Sequence, residues 1–191
     1  VGVSRHSPDA APPCRGALIR VNRFFDVGGT ALFMTGGSIE LTATAVVNNS
    51  GGRGVLYLQG AGAVVSNSTF SGNAGAFGDI GGRGALGLAS ARIEHSTFAG
   101  YFGSDTGVIT YSAELAGSIA EISYGNCVFA GRSQNFVRFF APAGPTTVTS
   151  LGHNIIDDAS SDTFAAGTDL TSTHPMLGPA ETTHGPLVHF P

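Results

Sequence analysis

Lysine and tryptophan are both absent from this chain, and all nine basic residues are arginine. Without lysine the chain has no side chain for a Schiff base and no lysine general base. Charged residues make up only 12% of the 191 residues, and the arginines are scattered rather than clustered. The net charge of −4 and the missing basic patch argue against a nucleic-acid partner. Because no apolar run approaches the roughly 20 residues of a membrane-crossing helix, no membrane span is predicted.

Cysteine is also scarce, with only Cys14 and Cys127 in the sequence. Two cysteines in a chain of this length do not make a disulfide framework. Cys127 lies in a predicted strand and is most simply a small buried hydrophobe, and a Cys14–Cys127 disulfide is the alternative. No secretory signal segment is visible at Val1, so we expect a mature form or an excised piece of a longer protein.

Glycine is abundant instead, at 29 residues, and 42% of the chain is hydrophobic. Short apolar segments recur at intervals of 23 to 31 residues, measured between their apolar anchors. Two positions after each anchor stands a residue that tolerates a left-handed backbone. The predicted core anchors are Val47, Phe70, Phe98, Phe129 and Ile156, and the predicted left-handed turn positions are Asn49, Gly72, Gly100, Gly131 and Asp158.

Three short strands are predicted in each repeat, which is typical of a parallel β-helix whose equivalent strands pair from coil to coil. The third series contains the anchors, and a second series precedes it. The first series is predicted at 31–34, 55–58, 85–88, 108–111 and 136–140. The sequence Gly-Gly-Arg-Gly occurs at 51–54 and again at 81–84 and is predicted to be a turn used twice.

The pattern divides the chain into three regions. Residues 1–27 are predicted to be an arm with a cap or an imperfect first coil, since 17–27 fit either a helix or a strand. Residues 28–158 are predicted to form about five to six coils. Residues 159–191 contain four prolines and are predicted to be an extended tail that packs on the coils.

A polar position lies three residues before each anchor. Asn67, His95, Asn126 and His153 occupy it, with Thr44 in the earliest coil. Stacked amides and imidazoles at one corner can bond to one another and to the turn backbone. We therefore interpret these four residues as a structural corner column rather than as ligands.

Two stretches resemble a known family. The sequence SNSTFSGN at 66–73 and HSTFAG at 95–100 resemble the signature of right-handed parallel β-helix repeats in secreted and surface-exposed bacterial proteins, including the polymorphic outer-membrane type. Residues 150–156, followed by HPMLGP at 174–179 and GPL at 185–187, resemble the segment that closes such β-helices. The resemblance implies an all-β, right-handed fold of the pectin-lyase kind and an extracellular or cell-surface location.

The coils contain few residues suited to catalysis. Glu40, Glu94 and Glu121 lie near the second strand series and are interpreted as a solvated face, although they could stack as an acidic column. His174, His184 and His189 follow intervals of ten and five residues, which match no common zinc pattern. No catalytic residue, metal site or cofactor is predicted.

These observations favour a non-enzymatic structural or adhesive protein outside the cell. Exposed edges of the end coils predict self-association head to tail into fibres. The alternative is a β-helix that binds or cleaves an acidic surface polysaccharide, with a groove lined by Arg92, Arg132 and Arg138 together with Tyr57, Tyr101 and Tyr111. A third option is a phage or virus fibre segment, which would associate as a trimer.

Overall fold

The structure is a computed structural model, and it describes residues 16–20, 23–25, 28, 30–51, 55–75, 80–83, 88–99, 109–112, 119–130, 145–157 and 165–177. These residues form eighteen short strands and no helix. None of the described residues belongs to a helix with the length and apolar character needed to cross a membrane. The described part of the chain is therefore all-β.

The strands in chain order are β1 (Ala17–Arg20), β2 (Arg23–Phe25), β3 (Leu32–Thr35), β4 (Ser38–Thr42), β5 (Ala45–Val47), β6 (Ser50–Gly51), β7 (Leu56–Gln59), β8 (Gly62–Ser66), β9 (Thr69–Ser71), β10 (Ala74–Gly75), β11 (Ile80–Arg83), β12 (Leu88–Glu94), β13 (Thr97–Ala99), β14 (Ile109–Ser112), β15 (Ile119–Gly125), β16 (Val128–Ala130), β17 (Thr146–Gly152) and β18 (Ile155–Ile156).

Every strand pairing among the described residues is parallel. The first sheet has the order β3-β7-β11-β14, the second sheet β1-β4-β8-β12-β15-β17, and the third sheet β2-β5-β9-β13-β16-β18, while β6 and β10 form a separate pair. From β3 to β16 the chain visits the first, second and third sheets in turn, and each visit adds one strand to a sheet. We call one such round a pass. Before and after this stretch, the pairs β1–β2 and β17–β18 add described strands to the second and third sheets. Equivalent strands of successive passes are therefore neighbours in the same sheet.

The hydrophobic core is one continuous cluster with contributions from all three sheets. In the second sheet burial alternates along each strand: Ile39 and Leu41 of β4 are buried while Ser38 and Glu40 are exposed. This alternation follows from the two-residue period of a strand, which directs successive side chains to opposite faces. The register then places Ala63 of β8 beside Ile39, so the inward rows run across passes.

A single row of apolar side chains runs through the whole third sheet. Its members are Phe24, Val46, Phe70, Phe98, Phe129 and Ile156, each paired with the next. The rings of Phe70 and Phe98 stack with centroids 4.8 Å apart, and those of Phe98 and Phe129 stack at 5.1 Å. These separations match the spacing between neighbouring strands, so parallel pairing in register brings the rings into contact.

The anchor predicted at Val47 is wrong by one residue. Val47 pairs with Ser71, whereas Val46 pairs with Phe70 and joins the main core. Val47 instead forms a small separate cluster with Ala45. The cause is a local ambiguity: Val46 and Val47 are chemically identical, and a one-residue slip moves a side chain to the other face of the sheet.

The first sheet also differs from its prediction. Its third strand is β11 (Ile80–Arg83), which pairs with β7 and β14, so this stretch is a strand rather than the predicted turn. Leu88, predicted for the first series, begins β12 of the second sheet. Glycines weaken an isolated strand, but here two neighbouring strands provide the pairing partners. Pairing context therefore overrides local propensity in this segment.

The two ends of the described chain both take part in the sheets. In the stretch 17–27, the described residues form β1 and β2, which pair with β4 and β5 as a first pass, and not a capping helix. Near the other end, Leu170 makes a parallel bridge to Ile155. The tail predicted at 159–191 is thus partly an additional short rung on the third sheet.

Candidate functional site

A row of left-handed residues marks the corner between the second and third sheets. The φ angles are 50° at Ala43, 49° at Asn67, 51° at His95, 54° at Asn126 and 60° at His153. The last four are the predicted corner column, and their side chains are exposed. Asparagine and histidine are among the non-glycine residues that tolerate this backbone best. The backbone conformation therefore explains their residue types better than the predicted side-chain stacking does.

The hydrogen-bonded side chains lie one residue later, in what we call the inner polar row: Thr44, Ser68, Ser96, Cys127 and Asn154. Ser68 shows the arrangement. Its Oγ donates to the carbonyl of Ser66 at 2.8 Å and accepts the backbone N–H of Thr44 at 3.2 Å. Ser96 does the same with Glu94 and Ser68. Ser68 and Ser96 thus each satisfy a buried backbone N–H and a partly buried carbonyl at the corner.

The sequence reasoning missed the inner polar row. The signal was present, since a small polar residue directly follows the predicted column in Asn67-Ser68 and His95-Ser96. The column and the row differ only in whether the side chain faces solvent or the interior. That choice depends on the left-handed corner, which reverses the local direction of the chain.

A second corner lies after the third sheet. Here Gly72 has φ of 62°, and the prediction for Asn49 is wrong, because Asn48 takes the left-handed conformation with φ of 54°. Asn49 is buried and donates from Nδ2 to the Phe24 carbonyl at 3.0 Å and to Asn73 Oδ1 at 3.1 Å. The amide stack thus occurs at this second corner. The remaining predicted turn positions, Gly100, Gly131 and Asp158, lie outside the described residues.

Cys127 belongs to the inner polar row and carries a free thiol. Its Sγ donates to the Gly125 carbonyl at 3.2 Å, as the hydroxyls of the row do in their own passes. Burial raises the pKa of this thiol to about 11. The bridge to Cys14 stays a prediction, because Cys14 lies outside the described residues. A buried, protonated thiol is a poor nucleophile and metal ligand.

The outer face of the second sheet contains a groove of about 500 Å³. Hydroxyl groups of Ser90, Ser123, Thr147 and Thr149 line it together with two charged side chains, Arg92 and Glu121. The outward positions are close to one another because the strands are in register and only every second residue faces out. The groove mixes polar and apolar side chains, and the described residues that line it include no aromatic ring.

The three glutamates of the second sheet do not form an acidic column. Glu40 pairs with Val64, Glu94 with Ser66, and Glu121 with Ser90, so they stand in three different rows. Glu94 and Glu121 are on neighbouring strands but four positions apart, which corresponds to about 13 Å along the strands. Two-carboxylate glycoside hydrolysis uses carboxyl groups about 5 to 9.5 Å apart.

Glu94 has a different role on this face. It accepts a hydrogen bond from Arg92 Nη2 at 2.8 Å, and this hydrogen bond raises the pKa of the Arg92 guanidinium. The two residues lie on the same face of β12, two positions apart. Arg92 is therefore held at the groove as a charged donor, and because it is exposed the ion pair adds little to stability.

The described members of the arginine and tyrosine groove predicted from the sequence do not lie together on one sheet. Tyr57 lies in the first sheet, is buried, and stacks on Phe33 at 5.7 Å, while Arg92 lies in the second sheet. Arg132, Arg138 and Tyr101 lie outside the described residues. Among the described residues no group of three or more histidine, cysteine or acidic side chains is arranged to hold a metal ion.

A polar cluster centred on Asp169 lies at the end of the third sheet. Asp169 accepts hydrogen bonds from Ser150 Oγ at 2.5 Å, from the Ala166 amide at 2.8 Å, and from the Asn154 backbone and side chain at 3.0 and 2.9 Å. Burial raises the pKa of Asp169, but these hydrogen bonds outweigh burial and leave the pKa below its ordinary value. No sequence signal identified Asp169, since it lies in the aperiodic tail.

The chain is significantly similar to no protein-family model, no curated protein and no solved structure.

Proposed function

We propose that the chain is a right-handed parallel β-helix with a non-enzymatic structural or adhesive role outside the cell or on its surface. The observation that carries this proposal is the unbroken anchor row from Phe24 to Ile156, with a polar row beside it that bonds from pass to pass. A solenoid buries its apolar surface only between neighbouring repeats. In this chain the buried side chains of the described passes serve that packing.

A structural role fits the chemistry of the described residues. The carboxylates of the second sheet are separated by register, the thiol of Cys127 is buried, and the corner histidines are explained by their backbone conformation. Each of these groups has a packing or conformational reason to be where it is. The secreted location follows from the resemblance to surface β-helix repeats.

The proposed assembly is a head-to-tail fibre. The outermost strands of a parallel stack, such as β1 and β17 of the second sheet, offer backbone groups that can pair with another copy, and a heterologous contact of this kind continues without closing. The test is electron microscopy with sedimentation velocity at increasing concentration. We expect filaments one chain wide, and discrete single particles at every concentration would contradict the proposal.

Val64→Lys supplies the matched control. Val64 is exposed on β8 in the middle of the second sheet, so the new charge lies on the outer face and away from both ends. If the copies assemble end to end, we expect Val64→Lys filaments to have the same length as wild-type filaments. If the copies associate laterally through the outer face, we expect the new charge to abolish association. A trimer of fixed mass in solution would instead favour the fibre-segment option.

The second candidate is polysaccharide binding, which the groove on the outer face favours. Rows of hydroxyl groups with one charged donor can hydrogen-bond to sugar hydroxyl and carboxyl groups. Retardation in gels that contain an acidic polysaccharide tests binding, and Arg92→Ala is expected to remove it. An enzyme assay measures the release of reducing ends or unsaturated products from the polysaccharide. Release that Glu94→Ala or Glu121→Ala abolishes would show that the protein is an enzyme and contradict our first proposal.

A further inference from the structure

The third sheet ends with a rung that comes from the tail. Leu170 donates its N–H to the Asn154 carbonyl at 2.8 Å, and its carbonyl accepts the Ile156 N–H at 2.8 Å. Thr173 then donates to the Ile156 carbonyl at 3.1 Å. The two bonds of Leu170 repeat the pattern that joins earlier passes, such as Ile155 to the Cys127 carbonyl. The tail thus satisfies the outer backbone groups of β18 as a strand of another pass would.

Asp169 takes the place of the next member in the inner polar row. The row continues from Cys127, whose N–H bonds to Asn154 Oδ1 at 2.9 Å, to Asn154, whose N–H bonds to Asp169 Oδ1 at 3.0 Å. A carboxylate accepts four hydrogen bonds here, where the hydroxyl of Ser68 or Ser96 accepts one. The final rung is therefore fixed by one side chain with unusually many bonds.

The same rung interrupts the apolar row. By register Thr171 follows Leu170 at the position where Ile156 and the phenylalanines stand in earlier passes. The neighbouring row of inward-facing side chains in the second sheet also becomes more polar toward this end, from Ile93 to Tyr124 and then to Ser150. A further strand placed on this rung would meet polar groups in place of an apolar anchor.

We propose that residues 165–173 are a displaceable terminator, held by Asp169, that occupies the edge to which a second copy of this chain would add through β2. This inference rests on the proposed head-to-tail assembly. Strand β2 is the first strand of the third sheet and carries Phe24, which would extend the anchor row beyond Ile156. Exchange of one strand for another conserves the backbone hydrogen bonds. The bonds of Asp169 therefore oppose the exchange, and apolar packing of Phe24 against Ile156 in place of Thr171 favours it.

The experiment compares wild type with Asp169→Asn and with Glu121→Gln as the matched control. Asp169→Asn keeps the size of the side chain but leaves only one oxygen to accept the four hydrogen bonds. The amide NH₂ then faces the donor groups of Ser150, Ala166 or Asn154. Glu121→Gln makes the same charge change on an exposed carboxylate of the outer face. Amide hydrogen exchange at Ile156, Leu170 and Thr173 reports the rung, and exchange at Phe98 reports the whole fold. Filament length is measured by electron microscopy.

We expect exchange at the rung amides to accelerate about tenfold or more in Asp169→Asn, with Phe98 unchanged, since a hydrogen bond to a charged group contributes about 1.5 to 3 kcal/mol. We also expect longer filaments than in wild type and Glu121→Gln. The terminator proposal is contradicted if exchange at the rung amides is unchanged in Asp169→Asn. It is also contradicted if this exchange is faster but the filaments keep the wild-type length. Faster exchange with no filaments from any variant refutes the head-to-tail assembly itself. If exchange at Phe98 also accelerates in Asp169→Asn, Ser150→Ala is the second variant and has the same readout. It removes one of the four hydrogen bonds to Asp169, together with the bonds that Ser150 Oγ accepts from the Gly152 N–H and from Asn154 Nδ2.

Discussion

The middle and the end of the third sheet keep the same register by different means. In the middle, Phe70, Phe98 and Phe129 stack at strand spacing and a hydroxyl row bonds beside them. At the end, the ring stack stops at Phe129, and Asp169 collects hydrogen bonds from Ser150, Asn154 and Ala166. An apolar row can be extended by any further apolar strand. The carboxylate of Asp169 already accepts four hydrogen bonds and offers no apolar surface for a further strand, and this difference underlies the proposed terminator.

The largest expected effect tests the apolar half of this comparison. Phe98→Ala removes a fully buried ring between two others, and we expect a loss of about 3 to 5 kcal/mol in the free energy of unfolding. Urea unfolding followed by circular dichroism measures it. Phe33→Ala, at a ring that is 40% exposed, is the control and should cost clearly less. Equal losses in the two variants would show that the stack is not the main source of stability.

A smaller effect tests the polar row of the middle. Ser96→Ala removes the acceptor of the Ser68 N–H and the donor to the Glu94 carbonyl, leaving both buried groups without this partner. We expect a loss of about 1 to 3 kcal/mol in the free energy of unfolding, measured in the same urea titration. Thr149→Ala, at an exposed hydroxyl of the outer face, should change it by less than about 0.5 kcal/mol.

Lowering the pH should destabilise the end of the third sheet before it destabilises the middle. The pKa of Asp169 is lower in the folded protein than its ordinary value of 3.8, so the folded end binds fewer protons than the unfolded chain. Its contribution is complete above pH 3.8 and is lost as the pH falls through the lower folded value. Tyr124 beside it has its pKa raised by burial and by Asp169, so it stays neutral in acid.

We therefore expect amide exchange at Ile156 to lose its protection at low pH before exchange at Phe98 does. The comparison is made after correction for the intrinsic pH dependence of exchange. Asp169→Asn removes the titrating group and should abolish the difference in pH dependence between the two amides. A simultaneous loss at both amides in wild type would mean that the end is no more acid-sensitive than the middle.

The smallest expected effect concerns the residue between the two regions. Cys127 occupies a hydroxyl position of the inner polar row, so Cys127→Ser should preserve the bond to the Gly125 carbonyl. We expect a change of less than about 1 kcal/mol in the free energy of unfolding. In wild type the buried thiol, with its pKa near 11, should react with an alkylating reagent only upon unfolding, which mass spectrometry detects. Fast labelling of the folded protein would contradict its burial.

The corners show how far residue patterns alone can predict the site. The spacing of Phe70, Phe98, Phe129 and Ile156 indicated one row, and the structure pairs these residues. At Val46-Val47 and Asn48-Asn49 the sequence offers two identical candidates in succession, so no local property distinguishes the correct register. Both errors, at Val47 and Asn49, are the same slip of one residue. Pairing with β9 decides between the candidates.

The sequence by itself determined the all-β character, the parallel repeat and the identity of most anchors, because these depend on composition and on periodic burial. Tertiary structure decided which polar side chains face inward, since a left-handed corner at Asn67 or His95 reverses the direction of the next residue. It also decided how the stack ends. Asp169 lies in a segment without periodicity, and only pairing of Leu170 with Ile155 brings its carboxylate into the row. Burial gives apolar residues a periodic spacing in the sequence, whereas hydrogen bonds between residues distant in sequence require no such spacing.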